Sequence, residues 1–151
     1  MKRSSRLSLA LHALVHLHKQ PDHAITSTTL AQCLMTNPVV VRRVLGELRE
    51  AGIVASTKGH DGGWRLVRPT TQISLHDIYV AMGESLLIRT ESDPGDRQCG
   101  IVRAVDCVMG EFIADAEALL AARLARVSLD DIARQAAPHN LPSHLGDHHH
   151  G

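Results

Sequence analysis

The stretch from Thr26 to Arg68 restricts the fold of this chain more than any other part of it. Thr26 or Ser27 can cap a short helix running through Leu34, because a hydroxyl accepts a backbone N–H of the first turn. Leu34–Thr36 then reads as a turn. Asn37 is the natural cap of a second helix, with Pro38 in its first turn, where a missing N–H costs nothing. Val41, Val44, Leu45 and Leu48 recur at helical spacing and give that helix one buried face. Ala51-Gly52 ends it, and the period then becomes extended. Ile53–Thr57 and Trp64–Arg68 read as two short strands around the Gly-rich loop Lys58-Gly59-His60-Asp61-Gly62-Gly63.

Helix, turn, helix and hairpin in that order predict a winged helix-turn-helix. Such a unit sets the first turn of its second helix against base edges in the major groove, while basic side chains hold phosphates. The candidate base readers are Thr36, Asn37, Val39, Arg42 and Arg43. The wing offers Lys58, His60 and Arg65, and the N-terminus adds Lys2 and Arg3, which read equally as phosphate contacts or as a solvated end. Two short helices with solvated arginines also fit a small helical subdomain, but the hairpin with its own basic residues favours double-stranded DNA.

At these residues the chain resembles the Rrf-two family of bacterial transcriptional regulators, and most of all its YwnA-like branch. The resemblance rests on Thr36-Asn37-Pro38-Val39-Val40-Val41-Arg42-Arg43, on Leu48 and Gly52, and on the wing run from Lys58-Gly59 through Gly62-Gly63 to Leu66. It extends from about Ser8 to Ala133. It implies a mainly α fold in which a winged helix-turn-helix is followed by a long C-terminal dimerisation helix.

The charge distribution agrees with a DNA-binding head. The net charge is zero, yet residues 1–68 hold 10 Lys/Arg against 4 Asp/Glu, and residues 69–151 hold 6 against 12. With one Phe, one Trp and one Tyr, the core must be aliphatic, and stacking on unpaired bases has no platform. No run is long and apolar enough for a membrane span. The N-terminal segment Ser8–His18 is broken by His12 and His16 and precedes no small-residue cleavage site, so a cytoplasmic protein is expected.

In chain order, a first helix is expected over about Ser4–Lys19. Beyond the wing, Pro69–Gln72 reads as a linker. Ser74 and Asp77 form a capping-box pattern for a helix whose Leu75, Ile78, Tyr79 and Met82 face the core. Leu86-Leu87-Ile88 reads as a brief strand. Residues 1–88 are thus expected to form the DNA-binding domain, 89–99 a loop, 100–137 the dimerisation helix and a short final helix, and 138–151 a flexible His-rich tail. Ile101, Val105, Val108, Phe112, Ala116, Leu119 and Leu120 stripe the long helix. That stripe outruns a small core, which makes a second copy its economical partner. Ser128 and Asp131 repeat the capping pattern before a last helix, expected to fold back on the long one.

Cys99 and Cys107 carry the remaining question. The cluster-sensing branch of the resembled family binds an iron–sulfur cluster through three closely spaced cysteines in this region. Here there are two, with seven residues between them, so no cofactor is expected even though Asp96 or Asp106 could be recruited. Redox sensing by Cys99, at a helix start beside Arg97 and Arg103, is one reading. Plain structural thiols are the other, and Cys33 defaults to a small buried hydrophobe. His12 and His16 lie one turn apart without an acidic or thiol neighbour in sequence, and the tail histidines suit only weak metal binding, so no metal site is expected. No nucleophile–base pair, phosphate loop or HExxH spacing argues for an enzyme. The sequence reads as a homodimeric repressor of a palindromic operator, responsive to thiol oxidation or to a small ligand whose identity it does not give. A winged-helix protein-interaction module without specific DNA binding is the alternative.

Overall fold

A computed structural model describes residues 5–84 and 99–136. Lys2, Arg3, the run Leu86–Ile88, the acidic loop before Cys99 and the His-rich tail lie outside the described residues. Helix α1 spans Ser5–Lys19, α2 Ser27–Leu34 and α3 Pro38–Glu50. Strands β1 (Val54–Thr57) and β2 (Gly63–Leu66) form an antiparallel hairpin in which Val54 faces Leu66 and Thr57 faces Gly63. A 3-10 turn at Thr70–Gln72 occupies the expected linker and leads into α4 (Leu75–Ala81). The long helix α5 runs Gly100–Leu124, and α6 covers Leu129–Gln135.

The caps explain the helix starts. Thr26 Oγ1 accepts from the Thr29 N–H at 3.1 Å, and Asn37 Oδ1 accepts from the Val39 N–H at 2.8 Å. Ser74 with Asp77 and Ser128 with Asp131 form two complete capping boxes. Each satisfies two of the N–H groups that a helix start otherwise leaves orphaned. Ala51 ends α3, and Gly52 follows at φ +74, a conformation that costs glycine nothing.

The core is aliphatic. Leu14 and Leu17 of α1, Leu30 of α2, the α3 set Val41, Val44, Leu45 and Leu48, and Ile53, Ile73 and Ile78 are fully buried around the single tryptophan, Trp64. In α4, Ile78 and Met82 are buried, while Leu75 and Tyr79 are only half-buried. Leu129 of α6 is 0% exposed and belongs to this same core. Helix α6 packs mainly on α1 and on the 70–72 turn rather than back along α5, which corrects the expectation from sequence. Its entry is stitched there by backbone: the Leu75 N–H donates to Val127 O at 2.8 Å, and the Leu129 N–H to Ile73 O at 2.7 Å.

Helix α5 differs from every other element. Its 25 residues include no buried one, and Phe112 and Leu119 are each 64% exposed. Because α6 returns to the core, α5 is anchored at its C-terminal end, with Cys99 at the other.

If α6 is part of the folding unit, Leu129→Ala should lower stability by about 2–5 kcal/mol, the usual loss for emptying a full core site. Urea unfolding followed by Trp64 fluorescence reads this directly, and an unchanged midpoint would show that α6 is dispensable.

Candidate nucleic-acid interface

The geometry of α3 follows from which face it buries. At about 100° per residue, Leu48 lies roughly 180° around the helix from Val39, and Arg43 lies within about 40° of Val39. Burying Val41, Val44, Leu45 and Leu48 therefore turns Val39, Arg42 and Arg43 outward and leaves Val40 on the flank, and all four are exposed. Arg42 and Arg43 have no ion-pair partner among the described residues, whereas Glu47, one turn further on, pairs with Arg6 of α1. That pair braces α3 against α1 and keeps an acid from neutralising the outward arginines.

Asn37 is exposed, but its side-chain oxygen is committed to the cap, leaving only its amide N–H groups to donate outward. Thr36 is half-buried, its backbone N–H bonded to Ala31 O at 2.9 Å. Lys58 and His60 sit exposed on the wing tip, and Arg65 projects from β2. The structure thus brings the expected readers of α3 onto one face with the wing beside them.

Trp64 fixes the wing to the helices. Its indole N–H donates to Ser27 Oγ at 2.9 Å, and the Arg49 guanidinium lies 5.6 Å from the centre of its ring. Arg49 also donates to Ser56 Oγ of β1 at 3.3 Å. The two wing glycines have a steric reason. A Cβ on Gly63, which sits at φ +151, would come within 2.7 Å of the Ile25 carbonyl, and one on Gly62 within 2.5 Å of Thr57 O. Only glycine lets Trp64 exchange backbone hydrogen bonds with Ile25, at 2.8 and 2.9 Å.

Three features were not read from the sequence. Met35 closes α2 in the left-handed region at φ +54 and is 93% exposed. Val40 lies on the flank of the outward face at 42% exposed. Gly46, on that same face, has open space where a Cβ would point. A glycine inside a helix costs roughly 0.5–1 kcal/mol relative to alanine, so its presence there suits a surface that another body approaches closely.

All three thiols are exposed. Cys33 is not the buried hydrophobe expected. It lines a cavity of about 740 Å³ between α1, α2, α4 and α6 with Leu11, Val15 and Tyr79. Burial lowers the pKa of His16, beside that cavity, with Lys19 and His12 adding to the effect. Cys107 is likewise exposed, on α5. Cys99 is the N-cap of α5, and the N–H groups of Val102 and Ile101 hold its thiol below the ordinary cysteine range. Cys99 and Cys107 stand about 12 Å apart along the helix axis. Among the described residues no group of three His, Cys, Asp or Glu is placed to hold a metal ion.

Comparison with known proteins decides the class. The model of the Rrf2 family, described as iron-dependent transcriptional regulators, matches residues 3–135. The chain belongs to the Rrf2 family. YwnA of Bacillus subtilis, described as a candidate HTH-type transcriptional regulator, is 28% identical over 129 residues, covering 85% of this chain and 95% of YwnA. YwgB of the same organism is 32% identical over 83 residues, 54% of this chain and about half of YwgB (53%). Among solved structures, a transcriptional regulator from Lactobacillus plantarum superposes with a TM-score of 0.72 at 24% identity, covering 89% of this chain and 91% of that one. CymR, the global cysteine regulator of B. subtilis, gives 0.60 at 20% identity, with 89% and 98% covered. This Rrf2 protein is a DNA-binding transcriptional regulator and not an enzyme. No helix among its described residues is long and apolar enough to cross a membrane.

Two kinds of contact should separate on mutation. Arg43→Ala should cost about 1–3 kcal/mol on specific DNA and little on random DNA, whereas Lys58→Ala should weaken both and reduce the salt slope by about 1. Binding titrations at several salt concentrations check this, and equal losses on both DNAs would remove Arg43 as a reader. Gly46→Ala should raise thermal stability while lowering DNA affinity. A variant that gains both would show that DNA does not come close to this position.

Proposed function

We propose that this regulator acts as a homodimeric repressor at a palindromic operator and that oxidation of Cys99 releases it. The observation that supports the dimer is the apolar stripe of α5. Ile101, Val105, Val108, Met109, Phe112 and Leu119 line a 25-residue helix and are all exposed in the single chain. Soluble monomers rarely leave so long an apolar stripe in water, and a two-fold partner with the same stripe covers it at both copies. Two recognition helices on one two-fold axis then meet major-groove faces about one DNA turn apart. A protein held across a promoter in this way blocks polymerase by occupancy alone.

No cofactor is assigned to the switch. Cys99 carries the thiol reading because its partial thiolate character at the α5 N-terminus raises its reactivity toward oxidants. Cys107, two turns along the same exposed helix, is the second thiol of the proposed sensor. Oxidation at the start of α5 alters the end of the dimerisation helix farthest from its anchor, and so changes the spacing of the heads.

Phe112→Glu should convert the dimer to monomers in sedimentation and cut operator affinity at least tenfold, since one head loses the help of the other. A variant that stays dimeric and binds fully would remove α5 as the interface. Cys99 should be alkylated faster than Cys33 or Cys107 near neutral pH, by mass spectrometry of the intact reduced protein. Cys99→Ser should make operator binding indifferent to peroxide. If that variant still releases DNA on oxidation, the sensor lies elsewhere.

A further inference from the structure

We propose that the rim formed by Met35, Val39 and Val40 reads thymine C5-methyl groups, so that each half-site carries T·A pairs under the start of α3. The inference rests on the reading above that α3 enters the major groove.

Three consecutive valines open α3, and the fold uses only one of them. Val41 is 1% exposed in the core, while Val39 is 56% and Val40 42% exposed. Helical geometry sets position 39 opposite the face that seats Val41, Val44 and Leu48, and position 40 on the flank of that face, about 100° round from Val39. Neither Val39 nor Val40 belongs to the buried core cluster of the described residues. Met35 adjoins them at the turn and is the only non-glycine residue with positive φ among those described. Its backbone closes α2 by donating to Ala31 O and Gln32 O, which leaves the side chain clear of the core.

The occupant follows from what surrounds the rim. Arg42 and Arg43 flank it without ion-pair partners among the described residues, and the wing adds Lys58 and Arg65. An apolar rim set among uncompensated cations matches a polyanion that presents apolar groups at the bottom of a groove. In the major groove of B-DNA the thymine C5-methyl is that group, and cytosine lacks it. Valine is well suited to the task, because its branched Cβ holds both methyls in one rotamer on a helix and little freedom is lost on contact.

The test uses duplexes that the full-length protein selects from a random-sequence pool. Thymines of the selected site are then replaced one at a time by deoxyuridine, which deletes only the methyl. At the thymines under α3, affinity should fall roughly fourfold per methyl, the factor that corresponds to about 0.8 kcal/mol for one buried CH₂. The loss should disappear at one position in Val39→Ala and at a neighbouring one in Val40→Ala. Specific binding with no deoxyuridine sensitivity, or with a sensitivity that both valine variants retain, overturns the inference and leaves the DNA-reading role of α3 intact. A protein that selects no sequence at all overturns both, and the rim then belongs to a protein partner.

Discussion

The burial of one face of α3 is the constraint on which the rest of the structure depends. Val41, Val44, Leu45 and Leu48 each lose essentially all contact with water against α1, α2 and the start of the hairpin. At roughly 1.5–3 kcal/mol per side chain, these four alone match a large fraction of the net stability of a small domain. The helix cannot rotate about its axis without exposing them. The residues opposite are thereby aimed by the core behind them, and Arg42 and Arg43 have no ion-pair partner among the described residues. A reading face is held rigid by the packing behind it.

This explains why the recognition unit was legible in the sequence and other parts were not. Helical spacing, the Asn37-Pro38 start and Gly52 are local signals, and the caps formed where they were expected. The two capping boxes at Ser74 and Ser128 were legible for the same reason. The seat of α6 was not, because Leu129 reaches the core through a tertiary contact between segments 73–75 and 127–129 that has no local signature. Cys33 was misread on composition: cysteine is usually buried, but its position on α2 faces the α1 cavity and not the core. Met35 was also invisible, since a turn closed in the left-handed region normally announces itself with glycine or asparagine.

The two ends of α5 divide structural work from exposed chemistry. Its C-terminal end leads within a few residues into Leu129, a fully buried anchor, and its N-terminal end presents a cysteine whose thiol is acidified by backbone N–H groups. Between them, a stripe of apolar residues stays exposed among the described residues. A helix of this length amplifies small changes, because a tilt about one end moves the other through an arc of the order of 37 Å times the angle. A few degrees at one end suffice to move the other by a large part of a base-pair step.

The wing limits where such a change can act. Trp64 bonds to Ser27 of α2, stacks under Arg49 of α3 and shares two backbone hydrogen bonds with Ile25, so hairpin and helices are tied at three separate points. The glycines that permit this leave no room for the hairpin to pivot, because any Cβ at Gly62 or Gly63 would already strike backbone. Remodelling the head would mean breaking several of these bonds and opening an aliphatic core together. Re-spacing two intact heads requires neither. In the two-fold assembly proposed above the inexpensive coordinate is therefore the relation between heads, and a signal entering through α5 would act on spacing while α3 stays as the core has set it.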